Sequence, residues 1–148
     1  MVAGPPAIIV HSLAQALVAA EAAAALGKPL TLRSAPGAGG TVGVGWFASL
    51  GAVLAERYPD LELTLVLDCA DEAGTALGAL RRGLKVVRVA VPEETRAKLE
   101  ALARGYGARL DDDDRPALDL SQSLVERGGL VEQADLAARC RDWLGRDG

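Results

Sequence analysis

The chain has 148 residues, of which 50% are hydrophobic and 24% charged, and its formal net charge is −4. This length is enough for one globular domain with a complete core and short for two, so we expect a single domain over residues 1–148. The acidic balance, without a basic cluster among aromatic residues, argues against a nucleic-acid-binding protein.

The amino-terminal segment and the cysteines bear on the cellular compartment. Residues 7–26 are strongly apolar, but no Lys or Arg precedes them as in a signal peptide, and His11 interrupts them. We therefore expect a strand and a buried helix here rather than a membrane span. Cys69 and Cys140 form neither a disulfide framework nor a CxxC motif. These features predict a cytoplasmic protein with reduced thiols and no membrane contact.

A predicted helix over 12–26 joins the first two predicted strands. Ser12 followed by Gln15 matches a capping box, and Gly27 is placed to end the helix in the left-handed conformation. The helix is apolar nearly all round, which is typical of a helix that is covered on two sides or lies in a subunit interface.

Strands and helices continue to alternate along the chain. Pro59 closes the helix that follows the second strand, and Pro92 is suited to the first turn of a later helix. An acidic connection over 111–119 and a helical C-terminal segment over 120–148 complete the chain. The predicted strands are 7–10, 30–34, 61–68, 85–91 and 108–110, and the main helices are 12–26, 46–57, 72–82 and 92–105.

This alternation predicts the α/β class, with a five-stranded parallel sheet between helices in a single-domain, three-layer αβα sandwich. The pattern resembles the flavodoxin-like, Rossmann-like doubly wound sheet with strand order 2-1-3-4-5. A (βα) half-barrel is the alternative, because the same alternation builds half of a TIM barrel. Neither resemblance carries a function or a cofactor with it.

In parallel α/β sheets, ligands bind outside the carboxyl ends of the strands. Strand order 2-1-3 would place His11 beside the end of the third strand, so we expect His11 and Asp68 to converge as acid/base candidates. Cys69 with His11 is an alternative nucleophile and base, but neighbouring strand residues point to opposite faces. The expected ligand-binding residues are Ser12, Ser34, Gly37, Gly39, Gly40, Gly43, Gly45, Trp46, Cys69 and Asp71.

The Gly-rich stretch 35–45 opens onto a predicted helix. Its backbone N–H groups would lie near the positive end of a helix dipole, where an anion or phosphate binds, or the glycines serve a bend that needs positive φ. Gly43-x-Gly45-x-x-Ala48 also resembles the dinucleotide-binding fingerprint, with Asp68 as its acidic residue. In that fingerprint the glycines follow the strand directly, whereas here further residues intervene, so no nucleotide cofactor is predicted.

The run Asp111–Asp114 is interpreted as a solvated charge run in the acidic connection, and no metal site is predicted. For the whole chain, the leading hypothesis is a protein that binds a small anionic or phosphorylated ligand at the carboxyl ends of its strands. Whether it is an enzyme stays open, as does any cofactor. The alternative is a non-catalytic homo-oligomeric module that assembles through helices 12–26 and/or 46–57.

Overall fold

The computed structural model describes residues 4–121 and 133–146. Its strands are β1 (Ile8–Val10), β2 (Leu30–Ser34), β3 (Leu63–Asp68), β4 (Val86–Arg88), β5 (Arg109–Leu110) and β6 (Leu118–Asp119). Its helices are α1 (Leu13–Leu26), α2 (Ala38–Thr41), α3 (Val44–Arg57), α4 (Ala73–Arg81), α5 (Glu93–Gly105) and α6 (Gln133–Leu144). The predicted C-terminal helical segment 120–148 contains α6, and its residues 122–132 and 147–148 lie outside the described residues.

The α/β class and the parallel sheet are confirmed, but the strand count and order differ from the prediction. Within the described residues, the sheet has six strands in the order β5-β4-β3-β2-β1-β6, with β1 between β2 and β6. The predicted order 2-1-3-4-5 is therefore wrong. Strands β1 to β5 lie in sequential order, as the half-barrel alternative implies. Alternation cannot distinguish these orders, because a helical crossover can carry the chain toward either edge of a sheet.

The extra strand, β6, arises within the predicted acidic connection. It pairs in parallel with β1, with Ile8 opposite Leu118 and Ile9 opposite Asp119. The N–H of Leu118 donates to the carbonyl of Ala7 over 3.0 Å. A strand of two residues has no periodicity that a sequence pattern could reveal, so tertiary pairing alone defines it.

The chain divides into two compact units, which are described separately. The first unit comprises Met1–Leu32, Leu50–Thr64 and Asp113–Gly148, and the second comprises Arg33–Ser49 and Leu65–Asp112. Residues of β2 and of β3 belong to both units.

In the first unit, helix α1 packs against β1 and against α6, which explains why it is apolar nearly all round. Ser12 is the N-cap, accepting from the N–H of Gln15 at 3.2 Å, and Gly27 ends the helix at φ 64°, as predicted. The indole Nε1 of Trp143 in α6 donates to the carbonyl of Pro6 over 3.0 Å. Side chains from α1, β2 and α6 that are buried in this unit include Val18, Leu32, Cys140 and Leu144.

The second unit has an apolar core between β3, β4 and helices α3 to α5. Phe47, Leu80 and Val87 are fully buried in it. Ala76 and Ala79 of α4 are also fully buried, because small side chains let this helix lie close to β4, which it contacts. No helix in the described ranges is both long enough and apolar enough to cross a membrane.

Candidate functional site

His11 and Asp119 form a dyad at the carboxyl ends of β1 and β6, in the first unit. The imidazole Nε2 lies 2.7 Å from Oδ1 of Asp119, with 32% of the His11 side chain and 21% of the Asp119 side chain exposed. The parallel pairing of the two strands brings these residues together, since Ile9 lies opposite Asp119 and His11 follows β1. The backbone N–H of His11 donates to Oε1 of Gln15 over 2.7 Å, which fixes the histidine to the first turn of α1.

The Asp119 carboxylate is held by three donors. Its Oδ1 accepts from the N–H of Ser121 at 3.0 Å and from the Ser121 hydroxyl at 2.8 Å, besides its contact with His11. Burial raises the pKa of Asp119, but the hydrogen bonds from Ser121 and His11 outweigh it and hold this pKa below its usual value. The carboxylate is therefore ionised at neutral pH and can orient the imidazole.

This arrangement is suited to proton transfer. When Nε2 donates to the carboxylate, the neutral ring has its lone pair on Nδ1, and no hydrogen bond to Nδ1 is formed within residues 4–121 and 133–146. A carboxylate that fixes the tautomer of a partly exposed histidine is the arrangement of general acid–base sites. The His11 imidazole therefore has the geometry of an acid/base group, with Asp119 as its orienting carboxylate.

Asp68 has a different setting, in the second unit. Its Oδ1 accepts from the N–H of Gly37 at 3.2 Å and from the N–H of Ala70 at 2.8 Å, and its own N–H donates to Oγ of Ser34 at 2.9 Å. Ser34, Gly37 and Asp68 thus come together, as expected from their strand-end positions. Their bonds close the turns after β2 and β3, because the carboxylate binds backbone amides of the chain itself.

The expected convergence of His11 with Asp68 depended on strand order 2-1-3, which is not the order of this sheet. His11 and Ser12 belong to the first unit, and the other expected site residues belong to the second. The dyad partner Asp119 and its donor Ser121 were missed by sequence reasoning. The available signal was a single aspartate between Leu118 and Leu120, followed by a hydroxyl residue, inside a segment interpreted as a connection.

The Gly-rich stretch contains a short helix, α2, that was not predicted. A Cβ added at Gly39 would lie 3.0 Å from Sγ of Cys69, and one at Gly40 would lie 2.7 Å from Oε1 of Glu72. Gly37 and Gly43 have φ of 74° and 103°, in the left-handed region. Close packing and backbone conformation therefore account for these four glycines.

Two carboxylates of the chain already lie against this stretch, Asp68 at the N–H of Gly37 and Glu72 at Gly40. Their negative charge disfavours an external anion at the same place.

The four remaining residues of the expected ligand-binding site differ in how deeply they are buried. Gly45 lies close to the guanidinium of Arg82, and Trp46 is half-buried against the core, with its ring centroid 6.1 Å from that of Phe47. Asp71 is exposed. Cys69 is fully buried, and burial, reinforced by nearby Asp68 and Glu72, raises the pKa of its thiol to about 12. Such a thiol stays protonated at neutral pH, and a protonated thiol is a weak nucleophile.

The first residue of the acidic run is not solvated, contrary to expectation. Asp111 is only 7% exposed, and its Oδ2 lies 2.7 Å from Nη1 of Arg88 and 3.9 Å from Nη2 of Arg33. Arg115 binds Asp113 with 2.8 Å between Nη2 and Oδ2. Burial of a carboxylate requires such compensation, so these pairs explain how part of the run enters the fold.

Among the described residues, no three His, Cys, Asp or Glu side chains are grouped so as to hold a metal ion. No protein-family model matches the chain, and no curated protein matches it.

Proposed function

We propose that the protein binds a small anionic or phosphorylated molecule at the carboxyl ends of β1 and β6, with His11 as its acid/base group. The observation that carries the proposal is the 2.7 Å contact between Nε2 of His11 and Oδ1 of Asp119, together with the partial exposure of the ring. Asp119 positions the imidazole, and Ser121 holds Asp119 in place. In this proposal Asp68 has a structural role.

The preference for an anion is supported by the position of helix α1. This helix of 14 residues begins at Leu13, directly after the cap Ser12 and two positions after His11. The N–H groups of its first turn carry the positive end of the helix dipole, and Leu13 and Ala14 are exposed. A negatively charged group could therefore interact with the helix end while a neighbouring atom of the same molecule exchanges a proton with His11.

A thermal-shift screen against sugar phosphates, nucleotides and carboxylic acids tests this function. A compound that binds the native state at about a hundredfold above its Kd is expected to raise Tm by about 5–10 °C. His11→Gln should remove that shift. Glu21→Gln, an exposed site on the outer part of α1, should retain it. If no anionic compound shifts the wild type, or if His11→Gln responds as the wild type does, the proposal fails.

The second proposal is that the protein is cytoplasmic and forms a homo-oligomer. Half of the residues of α1 are buried. An interface would therefore use exposed apolar residues such as Leu26 and Val53, which are 42% and 38% exposed. Sedimentation velocity of Val53→Glu tests it. A wild-type dimer that this variant dissociates supports the oligomer, and a wild-type monomer rejects it.

A further inference from the structure

A cleft of about 590 Å³ lies in the first unit, at the amino ends of β2 and β3. Its walls are the last turn of α1, the end of α3 and the segment 58–62 that leads into β3. The volume falls in the range of about 300–1,000 Å³ typical of small-molecule sites. Because β1, β2 and β6 are parallel members of one sheet, this cleft is at the opposite strand ends from His11.

The lining of the cleft is partly apolar. Ala24 is exposed, and Pro29, Tyr58 and Leu61 are half-buried. These side chains can cover an aliphatic or aromatic body, since apolar surface removed from water stabilises a complex. Tyr58 adds a ring face, which attracts cations as well as apolar groups.

Four charged side chains also line the cleft, two of each sign. They are Lys28 and Arg57, and Asp60 and Glu62. Within the described parts of the chain, none of the four makes an ion pair within 4.0 Å. Both signs of charge are therefore available to a bound molecule. The carbonyl ends of α1 and α3 lie at the same place and add partial negative charge, which favours a cationic group.

We infer that this cleft binds a zwitterionic molecule of about dipeptide size with an apolar body. Its ammonium group would interact with Asp60, Glu62 and the helix carbonyl ends, and its carboxylate with Lys28 and Arg57. A molecule with one charge would interact with only one of the two pairs of charged side chains. This site is separate from the His11 site and does not depend on it.

The test uses L-leucyl-L-leucine as the probe, with its N-acetyl and methyl-ester derivatives, each of which lacks one charge. Backbone amide NMR of the full chain should show the dipeptide shifting the signals of Ala24, Gly27 and Leu61. Both derivatives should bind at least about tenfold more weakly, since a hydrogen bond to a charged group is lost. Equal binding of either derivative would overturn the inference, as would no shift with any of the three compounds.

Variants distinguish binding in the cleft from binding at the His11 site. Arg57→Gln and Asp60→Asn should each weaken the dipeptide about tenfold, and Glu21→Gln, outside the cleft, should have no effect. His11→Gln should bind the dipeptide as the wild type does. A loss of binding in His11→Gln but not in Arg57→Gln would overturn the assignment of the site to this cleft.

Discussion

The carboxylate of Asp68 accepts a hydrogen bond from the backbone N–H of Gly37, with 3.2 Å between Oδ1 and N. The same oxygen accepts from Ala70, whose φ of 51° is in the left-handed region, and the N–H of Asp68 donates to Ser34. Asp68 therefore joins the loop after β2 to the turn after β3. The residue that its strand-end position indicated as an acid/base candidate thus has backbone partners in both turns.

Asp68→Ala should lower the free energy of unfolding by about 2–3 kcal/mol, because two backbone donors lose a charged acceptor. Asp68→Asn keeps one side-chain oxygen and should cost about 1 kcal/mol. Urea denaturation monitored by circular dichroism measures both. Unchanged stability in Asp68→Ala would show that the carboxylate does not hold the two loops.

Gly39→Ala and Gly74→Ala should change stability in opposite directions. A Cβ at Gly39 would meet Cys69 at 3.0 Å and Thr75 at 3.1 Å, so overpacking should destabilise by about 1–3 kcal/mol. Gly74, within α4, has nothing within 4 Å of an added Cβ, and alanine there should stabilise by about 0.5–1 kcal/mol. The denaturant concentrations at the unfolding midpoints of the two variants measure these changes in stability. A tolerated Gly39→Ala would contradict the close approach of α2 to the β3 turn.

The thiol of Cys69 should be unreactive in the folded protein. Burial raises its pKa to about 12, and burial likewise raises that of Cys140 to about 11. The reactive species is the thiolate, so iodoacetamide at pH 8 should modify neither residue until the chain is unfolded. Mass spectrometry with and without urea provides the measurement. Rapid native alkylation at Cys69 would restore it as a candidate nucleophile.

The contribution of Asp119 to stability should depend on pH. Its pKa lies below the ordinary 3.8, so its stabilising effect is present above that value and is lost as pH falls through the lower, folded pKa. Asp119→Asn should therefore be less stable than the wild type at pH 7, and the difference should shrink below about pH 4. Glu21→Gln serves as the control. A difference that grows on acidification would contradict this assignment.

Much of the local structure could be predicted, because it depends on neighbouring residues. Ser12 and Gly27 bound α1 as their chemistry indicated, and β3 lies within the strand predicted over 61–68. The strand order could not be predicted, since alternation is the same for every arrangement of parallel strands. β6 could not be predicted either, because a strand of two residues shows no periodic pattern of apolar and polar side chains.

For the candidate site, sequence reasoning identified His11 but not its partner. Asp119 lies 108 positions away, and only the pairing of β6 with β1 brings the two residues together. Asp111 is a similar case, because its burial depends on Arg33 and Arg88, which come from other strands. Long-range pairs of this kind follow from topology, which a single sequence leaves open.

His11 is the only histidine, so its imidazole gives a single, unambiguous set of NMR signals. Titration of inorganic phosphate into the wild type, followed by the imidazole ¹⁵N and ¹H shifts of His11, tests the proposed site most directly. We expect saturable shifts at His11 and at the first-turn amides of α1, loss of the amide shifts in His11→Gln, and no change in Glu21→Gln. If phosphate shifts the signals of other regions but not those of His11, the result contradicts the proposal that the dyad is the ligand site.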